Sequence, residues 1–301
     1  MSKKNNNIKK LFSCYKKGFE PPPELVNTLL MKYCKVFYNK GDSLIDIMKL
    51  VKEREPVNIE MKRYYSENKL KDFFGYKRGY YGKCQNSKSS ITPPNFIVYT
   101  PTKVLNYNKK IHILNAIGLA FDNKKQLDYK NYMKISKKTL GKDPNHILYC
   151  KKFYVKLFNL IFKTAIKLKK KNIIMSLVGA NNFAKLWIGG PIRFQKDIWF
   201  PIFNNSVKKY EGLNIMFMGT DVSNYENLGY FPELLNHPKI RNRLEDTLFI
   251  NAWDCWSIPG NGNNMDNSLD GYIGRNTQIA INGTSITNTW LLEKKNYIKI
   301  I

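Results

Sequence analysis

The chain has 301 residues, of which 43% are hydrophobic and 14% aromatic. That is enough apolar material for a packed core, which excludes a wholly disordered chain. Fifty Lys and Arg against 23 Asp and Glu leave a formal charge of +27. Such a charge attracts polyanions (nucleic acid, nucleotides or an anionic membrane surface) and says nothing of fold.

The length suits one domain of about 200 residues with an extension. Residues 1–20 read as a basic tail, residues 21–90 as a helical or irregular N-terminal extension, and residues 91–301 as the main domain. Five cysteines (Cys14, Cys34, Cys84, Cys150, Cys255) form no CxxC pair, and His112, His146 and His237 lie far apart. Neither a structural zinc site nor a disulfide framework is expected, so no metal is assigned. No run reaches the roughly 18 apolar residues of a membrane span, and no apolar segment follows the basic start. The expectation is a soluble protein of a reducing compartment, cytoplasmic, or in the host cytoplasm if it is viral or a secreted effector.

In chain order, Glu24–Tyr38 carries apolar residues at helical spacing (Leu25, Leu29, Leu30, Tyr33, Val36). Gly41, Asp42 and Ser43 read as a turn and N-cap before a second helix over Leu44–Val51. Residues 58–90, rich in Tyr, Lys and Gly, read as irregular, with a boundary near Ser87–Pro94. Asn95–Tyr99 and Ile111–Phe121 read as strands. Tyr149–Lys169 reads as a helix, through Phe153, Leu157, Leu160, Ile161 and Ile166. Asn172–Val178, Leu213–Met218 and Thr247–Ala252 are short apolar runs, as strands buried on both faces require. Leu269–Ile281 reads as a last helix. Strands alternating with helices predict an α/β protein, layered around a mostly parallel sheet.

One segment departs from the rest. Lysine is frequent everywhere except between Lys239 and Lys294, and within that gap Asn251–Gly274 contains Asp254, Asp266 and Asp270 and no Lys or Arg before Arg275. It follows a predicted strand, which puts it at the carboxyl end of a sheet, where ligands bind. Gly260 and Gly262 let backbone approach a ligand closely. Free N–H groups where the loop enters a helix near Asp266–Asp270 favour phosphate. Asn261, Asn263, Asn264 and Asn267 can donate to and accept from ribose hydroxyls. Trp253 and Trp256 can exclude water, and the aspartates can orient or deprotonate one. The plain alternative is an Asn/Gly-rich turn with capping aspartates. A second loop, Gly179, Ala180, Asn181, Asn182 and Phe183, follows another predicted strand. It can cradle a diphosphate, with Phe183 against a sugar or base, or simply turn strand into helix.

These residues resemble a macrodomain, the fold that binds ADP-ribose, and the resemblance implies a three-layer α/β/α arrangement around the mostly parallel sheet. The resembling features are a strand ending Asn251-Ala252, the Gly260-Asn261-Gly262-Asn263 loop, and Asp270-Gly271 at a helix start. An apolar strand leading into Gly179–Phe183 is the second feature, and Asp221 is the candidate for the adenine amino group. The string from Asn251 to Gly271 is most similar to ADP-ribosylhydrolase macrodomains of bacterial effectors and large viruses. The order is rearranged: the loop at 179–183 precedes the Asn-Ala strand, as a circular permutation would produce. The GGG triplet and the Gln-Glu-Glu of the poly(ADP-ribose) glycohydrolase type are missing.

The resemblance implies a hydrolase that removes ADP-ribose from protein side chains, arginine-linked ones among them. It implies ADP-ribose or an ADP-ribosylated protein as partner, and no cofactor. Asn251 would hold the distal ribose. Asp266, Asp270 and Asp254 are the carboxylates that would activate water or stabilise an oxocarbenium-like transition state. Gly179–Phe183, Asp221, Trp253, Gly260, Asn261, Gly262, Asn263, Asn267 and Gly271 would contact the ligand. Two other readings stay open. One is a module that binds ADP-ribose or a related nucleotide without cleaving it. The other is a basic nucleic-acid binder, or at least nonspecific polyanion contact, through Lys3–Lys17 and mixtures such as Tyr76–Tyr81. His112 reads as a core or edge residue, and His146 as a loop residue.

Overall fold

The computed structural model describes residues 27–53, 96–104, 107–124, 126–220, 222, 224–253, 269–270, 273 and 289–300. Its centre is one mixed sheet of nine strands: β1 (Asn27–Leu29), β2 (Lys35–Asn39), β3 (Phe96–Tyr99), β4 (Thr102–Val104), β5 (Lys109–Ala116), β6 (Asn172–Met175), β7 (Asn214–Phe217), β8 (Thr247–Ala252) and β9 (Tyr297–Ile300). The main path runs β7-β6-β8-β5-β3-β2-β9, with β4 pairing β5 and β1 pairing β4. Neighbours from β7 through β5 are all parallel. β3 runs antiparallel to β5 and β2, and β2 runs parallel to β9. The expected α/β class is present, and the parallel ladder forms one half of the sheet.

Short apolar strands occupy the parallel half because both faces are covered. In β8, Leu248 and Ile250 point into a core built with helices α2 (Leu127–Ile135), α3 (Pro144–Lys167) and α5 (Phe200–Val207). Phe249, between them, points into a second core with Ile111, Ile113, Phe231, Leu234 and Ile273. This is the period-two alternation of a strand with apolar partners on either side. The first core is strongly aromatic: Phe158 meets Trp199 at 5.0 Å and Phe203 at 5.2 Å between ring centroids, both edge to face. A short helix α4 (Gly190–Phe194) and a π-helical turn (Gln195–Trp199) lead into α5 and seat Trp199 there.

The helix expected over Glu24–Tyr38 is not formed. Residues 27–29 and 35–39 are strands, separated by a single 3-10 turn. The reason is two-sided burial: Val36, Phe37 and Tyr38 are consecutive and all buried. A strand between β3 and β9 can bury three successive side chains, whereas one face of a helix cannot. β1 and β2, from the N-terminal extension, thus belong to the sheet. Helix α1 (Leu44–Glu53) follows where expected, with Ile47 and Val51 buried. The strand expected over Ile111–Phe121 ends at Ala116. Of the expected last helix, Leu269, Asp270 and Ile273 are helical.

Connectivity positions the site. β5 leads through α2 and α3 to β6, and β6 through α4 and α5 to β7, with these helices packed in the first core. The chain then returns over the other face, through Leu228–Leu244, and inserts β8 between β6 and β5. Beyond β8 it comes back as Leu269–Ile273 on that same second face. At the carboxyl end of β8, neighbouring parallel strands therefore depart to opposite faces. This is the switch point at which open α/β sheets leave a crevice.

Candidate functional site

Asn251 sits at that point, one residue from the end of β8. It is fully buried, and parallel register sets it beside Asn115 of β5. The Asn115 Nδ2 donates to the Val98 carbonyl at 2.9 Å and to Thr100 Oγ1 at 2.7 Å. The Asn251 Nδ2 donates to Asn115 Oδ1 at 2.9 Å and to Asp270 Oδ1 at 3.0 Å. Asp270 is 7% exposed and stands on the Leu269–Ile273 segment. A polar chain thus runs through the sheet edge from Val98 and Thr100 to Asn115, Asn251 and Asp270.

This chain has a direction, and chemistry sets it. A backbone carbonyl only accepts, so the Asn115 group facing Val98 must be its NH2. The Asn115 carbonyl oxygen then faces Asn251 and requires a donor, which fixes the NH2 of Asn251 there. Both amide protons of Asn251 are used within the protein. Its Oδ1 is left as a buried acceptor with no hydrogen-bond partner among the described residues. Leaving such a group unmet costs about 1–3 kcal/mol, so a ligand hydroxyl or amide that reaches it gains correspondingly.

The second predicted loop is held tightly. Gly179 has φ +70°, and a Cβ there would come within 2.6 Å of both Gly118 Cα and the Tyr154 hydroxyl. Two backbones cross at this point, which explains the glycine through packing. The Val178 carbonyl accepts from Tyr154 Oη at 3.2 Å and Trp199 Nε1 at 3.1 Å. Gln195 Nε2 donates to the Ala180 carbonyl and to Asn181 Oδ1, both at 2.9 Å. Ala180 is buried, Asn181 and Asn182 are exposed, and Phe183 is half-buried, its carbonyl accepting from the Phe121 N–H at 2.6 Å. Ser176 Oγ donates to the Ile250 carbonyl at 2.7 Å, tying this loop's root to β8.

Trp253 is 1% exposed, and its backbone N–H donates to the Ala116 carbonyl at 3.0 Å. It therefore closes the edge between β8 and β5. Of the predicted site residues, the structure joins Asn251 and Asp270 directly. Asp221, Asp254, Gly260, Asn261, Gly262, Asn263, Asp266, Asn267 and Gly271 lie outside the described residues. Asn115 and Thr100 were not anticipated. The available signal was that β5 ends in Asn115-Ala116 and β8 in Asn251-Ala252, the same dipeptide in register. Among the described residues no three His, Cys, Asp or Glu gather as metal ligands, and no helix is long and apolar enough to cross a membrane.

A second buried polar cluster lies nearer the amino end of β5. His112 Nδ1 is 2.5 Å from Tyr99 Oη, and its Nε2 is 2.8 Å from Glu245 Oε2. The neutral imidazole with its proton on Nε2 satisfies both partners, accepting from the tyrosine and donating to the carboxylate. Burial lowers the His112 pKa, the Glu245 hydrogen bond opposing it. The same hydrogen bond lowers Glu245. Burial, reinforced by the Glu245 charge, raises Tyr99 far above the usual phenol range. Lys170 Nζ donates to the Glu245 carbonyl. His146, expected in a loop, is instead buried in the first turn of α3, its Nε2 bonded to the Tyr132 carbonyl at 2.9 Å. A proline at the helix start and the Asp143 cap explain why the helix begins earlier than its apolar spacing.

Compared with known proteins, the chain matches no protein-family model and no curated protein sequence.

Proposed function

We propose that the protein is a macrodomain-like hydrolase that cleaves the glycosidic bond between ADP-ribose and a protein side chain. The observation that carries this reading is the buried acceptor Asn251 Oδ1, beside the Asp270 carboxylate at the switch point of the sheet. An acceptor there suits a distal ribose hydroxyl. A carboxylate next to the ribose suits the oxocarbenium-like transition state, or takes a proton from the attacking water. Water adds to the anomeric carbon as its bond to the side-chain nitrogen or oxygen breaks. The products are ADP-ribose and the restored side chain. Asp266 and Asp254, close in sequence, are candidates for the second carboxylate. The exposed Asn181 and Asn182 at the neighbouring loop suit the diphosphate.

The test is a calorimetric titration of the full chain with ADP-ribose, with AMP and NAD for comparison. Release of ADP-ribose from arginine- and glutamate-linked substrates is then measured. One-to-one binding that prefers ADP-ribose over AMP, together with turnover, supports the reading. No binding at millimolar ligand would sink it.

A second reading has one observation in its favour. Asp270 accepts a hydrogen bond from Asn251 and is almost fully buried, as suits a residue that holds a neighbour in place. The site would then bind ADP-ribose without turnover, and stoichiometric binding with no released product distinguishes it.

A further inference from the structure

We propose that Asn115 is a positioning residue: together with Asp270 it fixes the Asn251 side-chain amide with its oxygen outward and thereby makes the site an acceptor for a ligand hydroxyl. This rests on the reading of Asn251 as the ribose-holding residue. The argument begins at a group that cannot change its role. The Val98 carbonyl accepts from Asn115 Nδ2 at 2.9 Å, and Thr100 Oγ1 takes the other proton at 2.7 Å. Asn115 is 1% exposed, so no water can substitute for these partners at little cost. Rotating its amide by half a turn would set Oδ1 against the Val98 carbonyl, two acceptors facing each other in a dry interior. Its Oδ1 must therefore face Asn251 and receive the 2.9 Å bond from Asn251 Nδ2.

Asp270 favours the same orientation, because its carboxylate oxygen only accepts, but it holds the Asn251 amide through a single bond at 3.0 Å. With Asn115 replaced by an apolar residue, the second amide proton is left without its acceptor in a dry interior and the side chain is held at one point only. Oδ1 is then no longer fixed where a ligand hydroxyl would meet it. Asn115, which need not touch the ligand, thus supplies the second anchor that keeps the acceptor in place. The parallel register that sets Asn115 opposite Asn251 is what permits the bond.

The experiment compares ADP-ribose with its analogues lacking the 2-hydroxyl or the 3-hydroxyl of the distal ribose. Each is titrated into the wild-type chain and into Asn115→Leu, Thr100→Val and Asn251→Leu. The readout is the ratio of dissociation constants, deoxy analogue over parent. Loss of general stability or packing weakens both ligands alike and leaves the ratio unchanged. The wild type should prefer the parent over at least one analogue by roughly ten- to a hundredfold. The ratio should collapse toward one in Asn251→Leu, fall severalfold in Asn115→Leu, and stay near the wild-type value in Thr100→Val, where the Val98 carbonyl still orients Asn115. A folded Asn115→Leu protein that keeps the wild-type ratio overturns the proposal. Should Asn115→Leu not fold, the ratio in the smaller Asn115→Ala variant decides, and an unchanged value there overturns it. Wild type that binds the parent and both analogues equally also overturns it, while leaving the ADP-ribose reading intact. Wild type that binds no ADP-ribose removes both.

Discussion

Strand β5 carries two buried polar clusters that face opposite ways. His112 and Asn115 are three residues apart, an odd offset, so the pleat sends one to each side of the sheet. At His112 the polar atoms close among themselves, and the chain ends in Glu245, whose side chain is 71% exposed. At Asn115 the chain is closed at its Val98 end and, among the described residues, open at Asn251 Oδ1. A closed cluster stabilises a sheet and responds to protons. An open one is a cost in the unliganded protein that a bound partner removes. The difference lies in which end of each chain reaches solvent and which reaches the switch point.

That contrast can be broken by experiment. The largest effect is expected at the open end: Asp270→Asn should lower release of ADP-ribose by roughly a hundredfold or more while largely keeping ligand binding, which steady-state kinetics and titration report together. Full turnover in this variant would remove Asp270 from the chemistry. Next comes the crossing of the two loops beside the site. Gly179→Ala forces a residue with a Cβ to φ +70° and against Gly118 and Tyr154. It should cost about 2–4 kcal/mol in denaturant unfolding.

The two clusters should then separate in a ligand-linked melting experiment. At ADP-ribose near a hundred times its Kd, the wild type should gain about 2.7 kcal/mol if the proposed site binds it. His112→Gln should keep that gain and Asn251→Leu should lose it. Equal behaviour of the two variants would erase the distinction drawn between them.

Protons should act on the closed cluster in one direction. The His112 pKa is lowered in the folded state, so below the ordinary histidine value of about 6.5 the unfolded chain binds the proton more readily. Stability is complete above that value and declines as pH falls from there toward the lowered folded pKa. Glu245 is also lowered, and its contribution is present above the ordinary Glu value and lost as pH falls through its folded one. Both make acid destabilising, and melting temperatures in His112→Gln should fall less between pH 7 and pH 5 than in the wild type. The smallest effect belongs to Glu245→Gln at neutral pH. With its carboxylate exposed, the change should stay within about 1 kcal/mol.

Much of the parallel half was legible in the sequence. The runs that became β6, β7 and β8 are short, apolar and bounded by turn residues, and α3 repeats its apolar positions at helical spacing over a long span. The N-terminal strands were not legible. Between Leu25 and Val36 the apolar spacing also fits a helix, and only pairing of β2 with β3 and β9 makes a strand the better way to bury Val36, Phe37 and Tyr38. The site divided in the same way. Asn251 and Asp270 stand out because a segment with three aspartates and no lysine interrupts a lysine-rich chain. Asn115 does not stand out, since a single asparagine at the end of an apolar run reads as the end of a strand.

The sequence by itself therefore determined composition, the α/β class, the apolar strands and helix that build the parallel half, and the chemical types gathered in the segment after β8. Tertiary structure alone decided that β8 inserts between β5 and β6, that Asn115 lies opposite Asn251, and that the Asn251 carbonyl oxygen is left without a partner among the described residues. The physical reason is that periodicity records which side chains leave water. The partner of a buried amide, and so the direction in which it faces, is set by strands distant in sequence that meet only in the folded sheet.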